Sequence, residues 1–184
     1  MLRIALAIVL TVIVCASGKS DLKSGYDALR RHDHDKAIAH FTDAIKSGDL
    51  SRANLALAYH YRGADCLNID RPDEALADPT QAIAIEPQHL PTAYSDRGIA
   101  HRRKGDCVKA IADYSEAIRL WPDWHDWYLN RGIAYAASGH YEDAIAGYTK
   151  ALYHRPDLAS AMGAYADAHL RQGRKTEAPI TDAR

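Results

Sequence analysis

The chain has 184 residues, 47% of them apolar, with 23 Lys and Arg against 24 Asp and Glu. That balance belongs to a folded soluble protein and excludes a disordered tail, and it leaves no global field to draw in nucleic acid or an anionic membrane surface. Ala, Leu and Ile are plentiful, Phe occurs once and Val is scarce after residue 14, so helices are favoured over strands and the expected class is all-α.

The first eighteen residues, MLRIALAIVLTVIVCASG, place Arg3 near the start, an apolar run from Ile4 to Val14, and small residues after it. A charged head, a greasy middle and a small-residue end are the layout of a secretory signal peptide, and residues 1–18 are assigned to one. A membrane-spanning helix needs about 20 apolar residues, and this run stops before Lys19, Asp21 and Lys23. The expected location is periplasmic or secreted, with cleavage after Ala16 or Gly18. A membrane-anchored chain is the alternative, if the segment is retained or lipidated. Lipidation at Cys15 is disfavoured, because Val14 stands where that motif takes Gly, Ala or Ser.

Beyond residue 18 one pattern returns in four copies, at about 19–51, 56–89, 91–124 and 125–158, with a partial copy at 159–173 and a tail at 174–184. The spacing predicts helices over 19–31 and 34–47 in the first copy. Between them lies Arg31-His32-Asp33-His34-Asp35. Zinc sites need three or four converging ligands, and a short turn of alternating His and Asp offers a loose pair, so helix capping by Asp33 or His34 is favoured and no metal is expected. The connection SGDLSRAN is longer than the others. Ser51 fits an N-cap, and the extra residues lengthen the next helix by about a turn.

The second copy, Tyr59 to Pro87, predicts helices over 53–69 and 72–86. Pro79 stands mid-helix, where it removes a hydrogen bond at a cost of about 3 kcal/mol, so a kink or early break is expected near Ala75 to Pro79. The third and fourth copies, Tyr94 to Pro122 and Tyr128 to Pro156, are offset by 34 residues throughout. They predict helices over 91–104, 107–120, 125–138 and 141–154. A last helix is expected over about 159–172, and Pro179 forbids a full partner for it.

These copies share a small residue at Gly25, Gly63, Gly98 and Gly132, followed by Ala-x-x-x-aromatic-x-x-Ala, as in Ala110, Tyr114 and Ala117 or Ala144, Tyr148 and Ala151, and then a proline such as Pro122 or Pro156. The small residues suit close approach of two antiparallel helices, the aromatics fill the wider space, and proline ends the second helix. The pattern resembles the tetratricopeptide repeat family and covers nearly all of the chain after residue 18. The resemblance implies a right-handed superhelical stack of antiparallel helix pairs, an α-solenoid. It also implies that the first helix of each pair lines a concave groove holding a protein or peptide partner.

Groove positions expected from that resemblance include His60 and Tyr61 in the second repeat, Ser95, Asp96, Arg102 and Arg103 in the third, and Asn130 with Ile133 in the fourth. Family members that clamp acidic chaperone tails use a set of Lys, Asn and Arg there. Here Leu22, His60 and Ser95 stand where clamp lysines would, so that activity does not transfer. All three tryptophans, Trp121, Trp124 and Trp127, fall at one junction. Trp124 aligns with Leu158 and is expected in the core. Trp127 replaces Ala93 and Ala161, and is either an exposed anchor for the partner or extra packing.

Arg62, Arg97 and Arg131 precede the small residues, with Asp78 and Asp113 as expected partners of two of them and Gly147 removing the equivalent carboxylate for Arg131. Cys66 and Cys107 sit toward the same end of the helices, which leaves a disulfide open. No catalytic motif stands out, no cofactor or small-molecule substrate is expected, and the chain is not expected to be an enzyme. The leading function is an adaptor holding a protein or peptide in the bacterial envelope. The alternative is a membrane-tethered, self-associating structural protein.

Overall fold

The structure is a computed structural model that describes residues 18–71 and 73–177. The assigned signal segment, apart from Gly18, lies outside the described residues, as do Cys15, Pro72 and Pro179. Among the described residues the chain is all helix, without strands. The elements are α1 (18–30), α2 (His34–Ser47), α3 (Arg52–Asn68), α4 (Glu74–Ile85), α5 (Pro91–Arg103), α6 (Cys107–Leu120), α7 (His125–Ala137), α8 (Tyr141–His154) and α9 (Ala159–Glu177). The described residues form two compact units, divided between Ala100 and His101.

Local chemistry sets the helix ends. Asp33 caps α2 by accepting from the Lys36 amide at 3.4 Å, and Asp106 caps α6 through the Lys109 amide at 3.1 Å. The lysine side chains close over these carboxylates at 2.6 and 2.7 Å and hold both below the usual carboxylate range. Ser51 caps α3 through the Asn54 amide, and α3 has 17 residues against 13 in α5 and α7, the extra turn the long connection implied.

Leaving each first helix, the chain turns through a left-handed residue: His32 and Asp70 at φ 57°, Gly105 at 82°, Gly139 at 77°. Glycine takes that conformation without the Cβ clash a histidine suffers. His32→Gly is expected to raise stability by up to about 1 kcal/mol, read as a higher urea midpoint with an unchanged slope.

In the first unit Leu22, Ala28, Ala37, Phe41 and Ala44 share a core with Ala58. In the second, Tyr128, Ala144, Tyr148, Ala151, Ala161 and Ala168 do the same, and α7 packs against α6, α8 and α9. The small residues have the steric role their recurrence suggested. A Cβ added to Gly25 would come within 2.6 Å of the Phe41 ring, and one added to Gly132 within 2.6 Å of the Tyr148 ring.

Pro79 is the informative exception. The expected break is absent: α4 runs uninterrupted from Glu74 to Ile85 with Pro79 inside it. The side chain is fully buried, and a Cβ on Gly63 would meet its Cδ at 2.7 Å and its Cγ at 3.0 Å. The pyrrolidine ring therefore fills the place that Phe41 and Tyr148 fill in their repeats, and packing against Gly63 offsets part of the cost of the lost hydrogen bond. Pro79→Ala exchanges roughly 3 kcal/mol of helix penalty for two buried methylenes at about 0.8 kcal/mol each plus a small cavity. The expected net is a gain of about 1 kcal/mol in urea unfolding.

Buried charge knits successive second helices to the first. Arg62 grips Asp78 in a bidentate pair, Nε to Oδ2 and Nη2 to Oδ1 both at 2.7 Å, and donates Nη1 to Thr42 Oγ1 at 3.0 Å. Arg131 keeps only the hydroxyl contact, Nη1 to Ser115 Oγ at 3.1 Å, and its buried Nε has no hydrogen-bond partner. The cause is Gly147. A Cβ there would lie 3.1 Å from the Tyr128 carbonyl oxygen and 3.2 Å from Gly132 Cα, so α7 and α8 approach too closely to admit a carboxylate. Both arginines also lie over a tyrosine one turn back, Arg62 over Tyr59 at 5.6 Å and Arg131 over Tyr128 at 5.8 Å, a contact that spares the guanidinium some of its desolvation cost.

Candidate functional site

In the first unit, the expected groove residues are largely spent on packing. His60 is buried at 7% exposure and its Nε2 lies 3.0 Å from Asp96 Oδ2, which ties α3 to α5; Ser95 is buried at 6% beside it in sequence. Tyr61 stacks on Phe41 at 6.0 Å and meets Tyr26 edge-on at 5.0 Å. Burial in this cluster pushes the Tyr26 phenol up to about 12, with Tyr61 adding to it, so it stays protonated at any physiological pH. What remains open is an apolar cleft of about 390 Å³ lined by Ala53, Leu57, Leu90, Glu86 and His89. Its carboxylate, Glu86, is already engaged by Arg52 at 3.2 Å and His89 at 3.2 Å.

The histidine and aspartate turn is structural. Asp33 caps α2, while His34 Nδ1 reaches Asp65 Oδ1 at 2.7 Å. Asp65 is fully buried, and loss of solvation raises its pKa against the opposing pull of His34. No group of three or more metal-ligating side chains converges among the described residues. Cys66 and Cys107 are both free thiols, so the disulfide left open by the sequence is absent. Cys66 is buried against Glu74, and burial lifts its thiol to about 12, so it is held as the protonated thiol at neutral pH.

In the second unit the arrangement is more open. Arg102 and Asn130 are half-buried and Arg103 is exposed. Trp127 is not: at 3% exposure it is packed within the tryptophan cluster and presents nothing to a partner. Trp124, expected in the core, is 42% exposed, and Trp121 is 49% exposed. Of the two readings open for Trp127 the structure has the packing one, while Trp124 is the N-cap residue just before α7 and makes no side-chain cap hydrogen bond.

A second cleft lies between α7 and α9. This cleft of about 310 Å³ has Ile133, Ala136, Ala137 and Ala164 on its walls, Tyr148 at its base, and Asp167 with Arg171 at one edge. Asp167 Oδ2 accepts from Arg171 Nε at 2.7 Å and holds the guanidinium firmly charged. Sequence reasoning reached Ile133 alone. The 34-residue offset carried the signal for the rest, since it aligns Asp167 with Ile133 and Arg171 with Ala137 on consecutive first helices. Small alanines make this stretch concave, and its chemistry is that of a receptor for apolar side chains with one polar edge.

The statistical model of the tetratricopeptide repeat matches residues 95–158 and again 129–184. Among curated proteins, heat shock protein STI1 of Saccharomyces cerevisiae is 31% identical over 98 residues, covering 53% of this chain and 16% of that protein. A DnaJ homolog subfamily C member 7 homolog of Schizosaccharomyces pombe is 28% identical over 96 residues, covering 52% and 20%. The chain thus spans a fifth or less of the length of these relatives. Among solved structures, MamA superposes with a TM-score of 0.76 at 21% identity, covering 88% of this chain and 85% of that one. YrrB, described as a TPR protein with an unusual peptide-binding site, gives 0.72 at 19% identity over 82% and 75%. The first TPR of Spaghetti (RPAP3), bound to an HSP90 peptide, gives 0.62 at 23% identity over 64% and 93%. At these identities the likeness is one of fold. With the recurring small residue, Ala-x-x-x-aromatic-x-x-Ala and closing proline, now seen as paired helices, the chain belongs to the tetratricopeptide repeat family.

Proposed function

We propose that this protein is an adaptor that holds an extended segment of a protein partner along its first helices, with the α7–α9 cleft taking apolar side chains. The observation that carries this is the cleft itself: Ala136, Ala137 and Ala164 leave room above Ile133, and the Asp167–Arg171 pair supplies an edge that a peptide backbone can hydrogen-bond. Two of the similar folds are described as binding peptides, which supports the same use of the fold here. The adaptor reading needs no catalytic group.

Replacing Ile133 by a photo-crosslinking amino acid is expected to give a discrete adduct with a partner in the native compartment. The same residue at Tyr153, 77% exposed on α8, is expected to give none. Equal labelling at both positions argues against a groove.

The proposed place of action is the bacterial envelope, outside the cytoplasm, resting on the layout of residues 1–18. Mass spectrometry of the mature N-terminus tests it. A chain beginning near Ser17 or Lys19 in the periplasmic fraction agrees, and an intact Met1 in the cytosol does not.

A further inference from the structure

We propose that the exposed turn Trp121-Pro122-Asp123-Trp124, between α6 and α7, is a second docking point that takes an arginine-bearing segment of a partner. The three indoles of this junction pack on one another, with ring centroids 5.5 Å apart for Trp121 and Trp124, 6.2 Å for Trp121 and Trp127, and 6.3 Å for Trp124 and Trp127. Trp127 is the buried support, and the other two are 49% and 42% exposed. Rings this close leave no slot between them for an inserted aliphatic side chain. What they offer a ligand is their outer surface, which suits a flat group laid against it.

Charge decides which flat group. Around the turn, Glu116 is paired with Arg119 at 2.8 Å, Asp157 with Arg155 at 3.5 Å, and Asp126 with His125 at 3.4 Å. Asp123 is exposed and has no hydrogen-bond or ion-pair partner among the described residues. It lies between the two exposed tryptophans in sequence, so an unspent carboxylate accompanies two electron-rich ring surfaces. A guanidinium satisfies both at once, because it stacks on an indole and donates in a fork to a carboxylate, whereas an ammonium does only the second well. Asp126 on the first turn of α7 counters the positive end of that helix, which would otherwise oppose a bound cation. The α7–α9 cleft is lined by the C-terminal half of α7, about 18 Å along the helix from Trp124, so this contact stands or falls apart from the groove.

Titration of ¹⁵N-labelled protein with a tetra-arginine amide peptide, against the neutral isostere tetra-citrulline amide, tests the proposal. The arginine peptide is expected to shift the indole N–H signals of Trp121 and Trp124 saturably, and more than that of Trp127. Binding by the citrulline peptide, or by the Asp123→Asn variant, is expected to be roughly tenfold weaker. Asp123 is exposed and unpaired, so this variant keeps its fold, which unchanged backbone spectra verify. Equal binding of the two peptides marks an apolar or saccharide surface and overturns the proposal, as does unchanged affinity in Asp123→Asn. Indole shifts that depend on protein concentration without peptide mark self-association and overturn it too.

Discussion

Trp127→Ala is expected to cost about 3–5 kcal/mol of stability, the range for truncating a buried indole, and to lower the cooperativity of thermal unfolding in the second unit. Trp127 is 3% exposed and supports both neighbouring indoles, so removing it opens a cavity under Trp121 and Trp124 together. Trp124→Ala, at a site 42% exposed, is expected to cost about 1 kcal/mol. Chemical denaturation of both variants separates packing from recognition. If Trp127→Ala unfolds like the wild type and loses only partner binding, then Trp127 is an anchor for the partner after all.

The second large effect is expected at Gly132. Leucine there drives its Cβ to within 2.6 Å of Tyr148 Cε1 and 3.1 Å of the Ala144 carbonyl oxygen. The tyrosine is almost completely buried, at 2% exposure, and cannot swing clear, while the carbonyl is helix backbone. Overpacking of this kind costs about 3 kcal/mol or more, well above the roughly 1 kcal/mol regained from glycine's poor helix propensity. Gly163→Leu is the control, because a Cβ at Gly163 meets nothing within 4 Å. It is expected to leave stability unchanged or raise it by up to about 1 kcal/mol. Circular dichroism melts of the pair check both expectations, and similar losses at the two glycines would contradict the steric account of the repeat.

Both substitutions show where the sequence was readable. Helix limits, the capping roles of Asp33 and Ser51, and the Arg62–Asp78 pair follow from local rules and a fixed offset, which one chain displays against itself. Pro79 does not end α4 as helix propensity alone implies, because propensity is a local quantity and part of its penalty is offset by a contact with Gly63, 16 residues away. The repeat held the correction in principle, since Pro79 occupies the position of Phe41 and Tyr148.

The candidate site was less legible, for a related reason. The positions lining first helices follow from the offset, but whether a position is open depends on what its neighbour does with it. His60 falls at an expected groove position but is buried, with its Nε2 bonded to Asp96. Ala136, Ala137 and Ala164 have no functional chemistry of their own, and matter only because they leave space between α7 and α9. Likewise, Trp124 and Trp127 differ in exposure, at 42% and 3%, because of how the three indoles pack on one another, which the repeat offset does not reveal.

Affinity for the partner captured at Ile133 measures whether the α7–α9 cleft holds a protein segment. Ala136→Glu fills the α7–α9 cleft from a half-buried wall, while Tyr153→Glu changes an exposed position on α8. Ala136→Glu is expected to lose about tenfold or more, from crowding an apolar contact and stranding a charge in it, with Tyr153→Glu at wild-type affinity. Unchanged binding by a folded Ala136→Glu variant would contradict that use of the cleft.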